Sequence, residues 1–200
     1  MIYGSGLGPS QLIRDNAESS TELAGTVVSF NGIAGPVLYT SAAQVAVIVP
    51  SSITGSEAQV TVRYNGEVSA PFPIPVAASA PSLFTLNQAG WGQAAAINAV
   101  DGTANTAVNQ VKISGYISLY ATGEGQTTPT GPVLAVRVTV GGLPATVQYA
   151  GPAPGKATGL MQVNVRIPNG VEPGGYVPVV LQVGNASTTA SAVWIAVSPD

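Results

Sequence analysis

Apolar residues recur at every second position in short runs along the chain. Examples are Val45-Ala46-Val47-Ile48-Val49, Val60-Thr61-Val62-Arg63-Tyr64, Val136-Arg137-Val138-Thr139-Val140 and Val163-Asn164-Val165-Arg166-Ile167. A strand sends alternate side chains to opposite faces, so this period predicts half-buried β-strands. Dipeptides suited to tight turns separate the runs: Asn31-Gly32, Asn65-Gly66, Asp101-Gly102, Gly141-Gly142, Asn169-Gly170 and Gly174-Gly175. No window of a dozen residues holds a helical stripe. Several short strands with frequent turns predict an all-β chain built as sandwiches or a barrel.

The order of these runs repeats. Ile2-Tyr3-Gly4-Ser5-Gly6-Leu7-Gly8 returns 117 residues later as Leu119-Tyr120-Ala121-Thr122-Gly123-Glu124-Gly125. Gln44-Val45-Ala46-Val47-Ile48-Val49-Pro50 returns 118 residues later as Gln162-Val163-Asn164-Val165-Arg166-Ile167-Pro168. Between them, Val28-Ser29-Phe30-Asn31-Gly32 with Tyr39 parallels Val138-Thr139-Val140-Gly141-Gly142 with Tyr149, offset by 110. Each copy continues into a strand pair, 60–64 with 68–76 and 177–183 with 190–197.

Two copies of one unit predict two domains. The stretch Ala77-Ala78-Ser79-Ala80-Pro81 offers little to a core and places the boundary between residues 1–80 and 81–200. Residues 93–108 have no counterpart in the first copy. They read as an extra hairpin around Asp101-Gly102, assigned to the second domain, where it covers an edge or braces the angle between domains. The expected architecture is therefore two sandwiches in tandem, the second with an additional N-terminal hairpin.

Composition narrows the class. Gly and Pro contribute 24 and 16 of the 200 residues and charged residues only 8%, but a 46% hydrophobic share concentrated in the runs above favours a folded chain over a disordered one. Six basic residues scattered through a chain of net charge −3 form no stripe for phosphates, so no nucleic-acid partner is expected. No apolar stretch approaches a membrane span. Without cysteine there is neither a disulfide framework nor a thiolate metal site. A surface of Ser, Thr, Asn, Gln and Gly is associated with exported bacterial β-proteins.

The strand ending in Gly-x-Gly-x-Gly, the Asn-Gly or Gly-Gly turn, the following aromatic, the Gln-Val-x-Val-x-Val/Ile-Pro strand and the closing hairpin resemble IPT/TIG immunoglobulin-like domains. Trp91-Gly92-Gln93, the Asp101-Gly102 turn, Tyr120-Ala121-Thr122-Gly123-Glu124-Gly125-Gln126, the 138–149 unit and 162–168 resemble more closely the C-terminal domain of secreted acidobacterial (Solibacter-type) proteins. That resemblance spans nearly the whole chain. It implies a pair of IPT/TIG-like sandwiches appended to varied extracellular proteins, and it brings neither catalytic residues nor a ligand. The first copy departs from the pattern at its start. Only Met1-Ile2 precede Tyr3, whereas the second copy's strand begins near Lys112 or Ile113, so the first sandwich is expected to lack half of its opening strand. Two explanations stay open: derivation from a longer parent, or completion by a strand from another molecule.

The chain has no histidine, which excludes a Ser-His-Asp site, and its nine acidic residues show no spacing that pairs two carboxylates. No enzyme and no cofactor are expected. The Gly-x-Gly loops lack the helix and lysine of a phosphate cradle and read as turns. Asp15, Glu18 and Glu22 are the one acidic cluster, without calcium-loop spacing. Lys112 and Lys156 are the candidates for a Lys-Asn crosslink, which needs a desolvated lysine. Trp91 and Trp194 are the candidate contact residues: Trp194 in an alternating terminal strand as a core or domain-junction side chain, Trp91 between two glycines as a wedge or an exposed ring. The expected function is a non-catalytic spacer, display or anchoring module of a larger secreted or cell-surface protein. The alternatives are an adhesion module for polysaccharide or a surface protein, and a fibre subunit that self-associates through the first domain's edge.

Overall fold

The computed structural model describes residues 1–17, 19–156 and 159–200, and these form strands and turns without a helix. The chain divides into two compact units, Met1–Ala77 and Ala78–Asp200. Residues 78–80, assigned from composition to the first domain, belong with the second. The Ser79 hydroxyl donates to the Val183 carbonyl at 2.7 Å, and the Ala80 N–H donates to the Gly123 carbonyl at 2.8 Å.

In the first unit one sheet runs in the order Ile2–Tyr3, Gln44–Val47, Val37–Thr40, Ile13–Arg14. The other runs Ile33–Gly35, Thr26–Phe30, Glu57–Tyr64, Glu67–Val68, with Phe72–Pro75 also paired to Glu57–Tyr64. Alternate residues face one another: Val28, Phe30, Val60 and Val62 from the second sheet form a single buried cluster with Val37 and Val45 from the first. The period-two pattern is what lets each strand bury one face and wet the other.

In the second unit the strands form one continuous path: Ser82–Leu83, Tyr116–Thr122, Met161–Arg166, Leu143–Pro152, Val136–Val140, Gly174–Val183, Val193–Ser198, Gly92–Gln93. Two long strands carry the path around the core. Residues 143–145 pair with Val136–Val140, and residues 146–152 pair with Met161–Arg166. Residues 179–183 likewise pair with Val136–Val140, and residues 174–178 with Val193–Ser198. The enclosed cluster includes Ile117, Leu119, Val138, Val140, Val163, Val165, Val179, Leu181 and Ile195.

The sequence repeat is reproduced in strand register. Ile2 and Tyr3 face Val45 and Gln44, as Leu119 and Tyr120 face Val163 and Gln162. Val28 lies between Gly35 and Val62, as Val138 lies between Ala145 and Leu181. A bulge follows Val37 opposite Val47, and another follows Val147 opposite Val165. Even side-chain details recur: the Val62 N–H donates to Ser69 Oγ and the Leu181 N–H to Thr188 Oγ1, each at 3.0 Å. One difference has a covalent cause. Pro36, which has no N–H, separates Ile33–Gly35 from Val37–Thr40, whereas Thr146 at the matching position pairs with Arg166 inside an unbroken strand.

Residues 93–108 depart from the expected hairpin. Ala96–Asn98 joins the edge of Tyr116–Thr122, but the returning arm pairs only through the Asn98–Thr103 and Asn105–Ala96 backbone hydrogen bonds and the Ile97–Ala104 bridge. It then enters a turn at Thr106 to Asn109, and Val108 is exposed. The arm stops because the Asn105 side chain is engaged elsewhere, as described below.

Both hairpins of the repeat turn through two residues with positive φ, Asn31 and Gly32 at 49° and 83°, Gly141 and Gly142 at 58° and 80°. This is the turn whose twist matches that of the flanking strands. A Cβ on Gly142 would meet nothing within 4 Å, so substitution there carries only the cost of the backbone conformation. Gly142→Val is expected to destabilise the second unit by about 1–2 kcal/mol, measured by urea denaturation. A variant as stable as the parent would contradict the turn assignment.

Candidate functional site

The terminal strand Val193–Ser198 buries Val193, Ile195 and Val197, which leaves Trp194 on the opposite face, half-buried rather than in the core. A bulge between Gly174 and Val177 turns Tyr176 outward beside it. The two rings meet edge to face, with centroids 5.5 Å apart and planes at 65°. Tyr176 is 78% exposed and lines an open groove of about 500 Å³ together with Leu143, Glu172, Pro173 and Pro178. Trp91, which precedes the strand Gly92–Gln93 paired to the opposite edge of Val193–Ser198, is 60% exposed. Among the exposed or partly exposed aromatics of the second unit, Tyr176 and Trp194 are in contact. Tyr176 had no signal of its own in the sequence, since the bulge that exposes it is a property of pairing.

The other edge of the terminal strand shows a different kind of engineering. Gly92–Gln93 runs parallel to it at Val193 and Trp194, and Val111–Lys112 runs parallel at Val197 and Ser198. Between these two stretches the Asn105 amide takes the place of a strand. Its Oδ1 accepts the Ala196 N–H at 2.8 Å, and its Nδ2 donates to the Ala196 carbonyl at 2.9 Å. Nδ2 also donates to Asn98 Oδ1, and Gln93 Nε2 donates to Asn105 Oδ1. Asn105 is fully buried, and this network satisfies both ends of its amide.

The first unit meets the same edge problem with proline. Its matching strand, Phe72–Pro75, places Pro73 where the second unit has Trp194, and Pro75 where it has Ala196. The Val76 N–H donates to the Ser56 carbonyl, and antiparallel alternation turns the Phe72 and Ile74 N–H groups to the same side. Pro73 and Pro75 therefore face outward, where a missing N–H costs nothing and denies a partner strand its donor.

The glycine loops are close-packing devices. A Cβ on Gly123 would overlap the Ala80 carbonyl oxygen, and one on Gly125 the Ala78 carbonyl oxygen. The loop also holds a buried acid. Glu124 occupies the position of Leu7 in the repeat, is 7% exposed, and its Oε2 has no hydrogen-bond partner among the described residues. Desolvation pushes its pKa above the ordinary glutamate range. Comparison of the two copies, Leu7 against Glu124, was the signal that could have identified it.

The remaining acidic and basic candidates disperse. Asp15 accepts the N–H groups of Ala17, Ser19 and Ser20, and these bonds, Ser20's foremost, lower its pKa. Glu22 pairs with Arg63 at 3.0 Å across two exposed side chains, and Glu18 lies outside the described residues. Among the described residues no three His, Cys, Asp or Glu side chains gather as metal ligands. Lys112 and Lys156 are both exposed, unlike the desolvated lysine that a crosslink needs. No helix among the described residues is long and apolar enough to cross a membrane.

Removing the Asn105 amide strands the Ala196 N–H and carbonyl in a buried setting. Asn105→Ala is expected to cost the second unit about 2–4 kcal/mol, read from urea unfolding, and a loss under 1 kcal/mol would show that the clamp is dispensable. The raised pKa of Glu124 means that the folded state holds its proton more tightly than the unfolded state. Its contribution is therefore full at pH below the ordinary glutamate range and is lost as pH rises through the elevated pKa. Glu124→Gln is expected to flatten that decline in a pH series of melting temperatures, and an unchanged slope would count against it. Comparison of the sequence with models of known families and with curated proteins finds no match.

Proposed function

We propose that the chain is a non-catalytic structural or interaction module, two IPT/TIG-like immunoglobulin-type sandwiches that space, display or anchor the other domains of a secreted or cell-surface bacterial protein. The observation that carries this reading is the repeat. Two units close separate cores with the same strand register, the same bulge and the same two-residue turns, while their sequences and edge treatments differ. Repetition of a frame with divergent surfaces is how modular chains gain length and display area without building a reaction centre.

A second reading is favoured by one observation, the contact between Tyr176 and Trp194 beside an open groove, with Trp91 exposed in the same unit. Aromatic faces of this kind serve carbohydrate or protein adhesion. Tryptophan fluorescence separates the two readings, because Trp91 and Trp194 are the chain's two tryptophans. The spacer reading predicts an emission spectrum that stays unchanged on titration with soluble polysaccharides. A saturable change that is abolished in Trp194→Ala and Tyr176→Ala would replace it with the adhesion reading.

A further inference from the structure

Among the described residues Glu124 is the one buried side chain that carries an ionisable carboxyl or amine. The glycines on either side of it press against the first residues of the second unit. A Cβ on Gly123 would overlap the Ala80 carbonyl oxygen, and one on Gly125 the Ala78 carbonyl oxygen. The Gly123 carbonyl also accepts the Ala80 N–H, and the Ser79 hydroxyl between these contacts is buried on the Val183 carbonyl. Residues 78–80 are thus held by a loop with Glu124 at its centre. The boundary between the units falls between Ala77 and Ala78, so this hold sets how much free chain links them.

The surroundings suit a neutral side chain. Glu124 Oε2 has no hydrogen-bond partner among the described residues. Residues 78–84 carry no ionisable group, and neither do the stretches 126–135 and 179–191, which meet through the Ser79–Val183 and Gly184–Ala135 hydrogen bonds. The preceding strand carries Tyr116 and Tyr120, which alternate with the buried Ile117, Leu119 and Ala121, and Tyr149 donates its hydroxyl to the Pro152 carbonyl. The next charge along the chain, Arg137, is exposed. Burial alone therefore raises the pKa of Glu124. The first copy places Leu7 at this position, packed against its core. A protonated glutamate can occupy such a site, whereas a carboxylate must be brought to water. Because Gly123 and Gly125 touch residues 78–80, moving the loop to do so breaks the Ala80–Gly123 hydrogen bond.

We propose that Glu124 is a pH-controlled latch on the link between the units: protonated, it keeps residues 78–80 docked on the second unit, and ionised, it frees them. The docked state holds its proton more tightly than the released state. Docking is therefore at full strength at pH below the ordinary glutamate range and weakens as pH rises through the elevated pKa. Release adds residues 78–80, about 10 Å of extended chain, to the link. The latch goes beyond the module reading and stands or falls separately from it, because the fluorescence comparison above reads the aromatics alone.

Hydrogen exchange of the full chain, followed by NMR from about pH 3 to about pH 8 and corrected for intrinsic rates, reads the latch at the Ala80 amide. The Phe84 amide, bonded to the Tyr120 carbonyl further along the same stretch, reports on the fold of the unit. Ala80 protection should fall about tenfold for each unit by which docking raises the Glu124 pKa. The fall should level off at the pH where the Glu124 carboxyl carbon titrates. Ala80 should also exchange faster than Phe84 and respond less to low urea, the mark of an opening that exposes little surface. Glu124→Gln and Glu124→Leu, neutral at every pH, should keep Ala80 protection constant. Constant protection in the parent chain would overturn the proposal, as would a fall that persists in the variants or a Glu124 carboxyl that titrates in the ordinary range. Equal rates and equal urea dependence at Ala80 and Phe84 would overturn it too, since residues 78–80 would then have no release of their own. Should a variant lose Phe84 protection and so fail to fold, the parent chain decides: different midpoints for the carboxyl and for Ala80 sink the latch.

Discussion

Every backbone N–H and carbonyl that reaches the margin of a sheet needs a partner or water, and this requirement organises both halves of the molecule. The strand pairs that build the two cores are alike to the residue, so they leave the same margins to be managed. At the C-terminal strand the solutions diverge. One unit removes the outward donors with Pro73 and Pro75, while the other covers them with two parallel stretches and a buried asparagine amide. A side-chain amide carries one donor group and one acceptor, the same pair that a peptide unit offers, which is why Asn105 can stand in for a residue of strand.

The same comparison separates what serves the fold from what serves contact. Leu7 packs against the first core, but Glu124 brings a carboxyl to the matching position and leaves one oxygen without a partner among the described residues. Such a group weakens the frame unless it is protonated, so its presence marks a place where the two copies have ceased to be interchangeable. The bulge at Tyr176 is another. It interrupts the ladder to turn an aromatic ring outward against Trp194, a change without benefit to the core. Surface divergence on a shared frame is what the proposed display or interaction module requires.

Much of the frame was legible in the sequence because strand periodicity and turn chemistry are local. Val28 to Gly32 and Val138 to Gly142 announced hairpins that the structure contains in matching register, and the offsets of the repeat predicted which residues correspond. Four features could not be read, for the reason that each depends on a distant partner. Residues 103–105 end their pairing early because Asn105 reaches a strand that lies 91 positions away in sequence. Residues 78–80 join the second unit because their backbone lies against glycines at 123 and 125. Trp194 lies on the outer face, where its ring meets that of Tyr176 from a neighbouring strand. Tyr176 projects because of a bulge that no local pattern encodes.

Backbone hydrogen exchange in the free, monomeric chain tests edge management most directly, because it reads each outward amide separately. The account predicts that the Ala196, Val165 and Ile167 amides exchange with the slow core of the second unit. The Val47 and Val49 amides should exchange at least a hundredfold faster than their counterparts Val165 and Ile167, on the order of the ~3 kcal/mol that separates an exposed strand edge from a protected one. Slow exchange at Val47 and Val49 in the monomer would contradict it, since those groups would then be satisfied without the strand that their counterparts use.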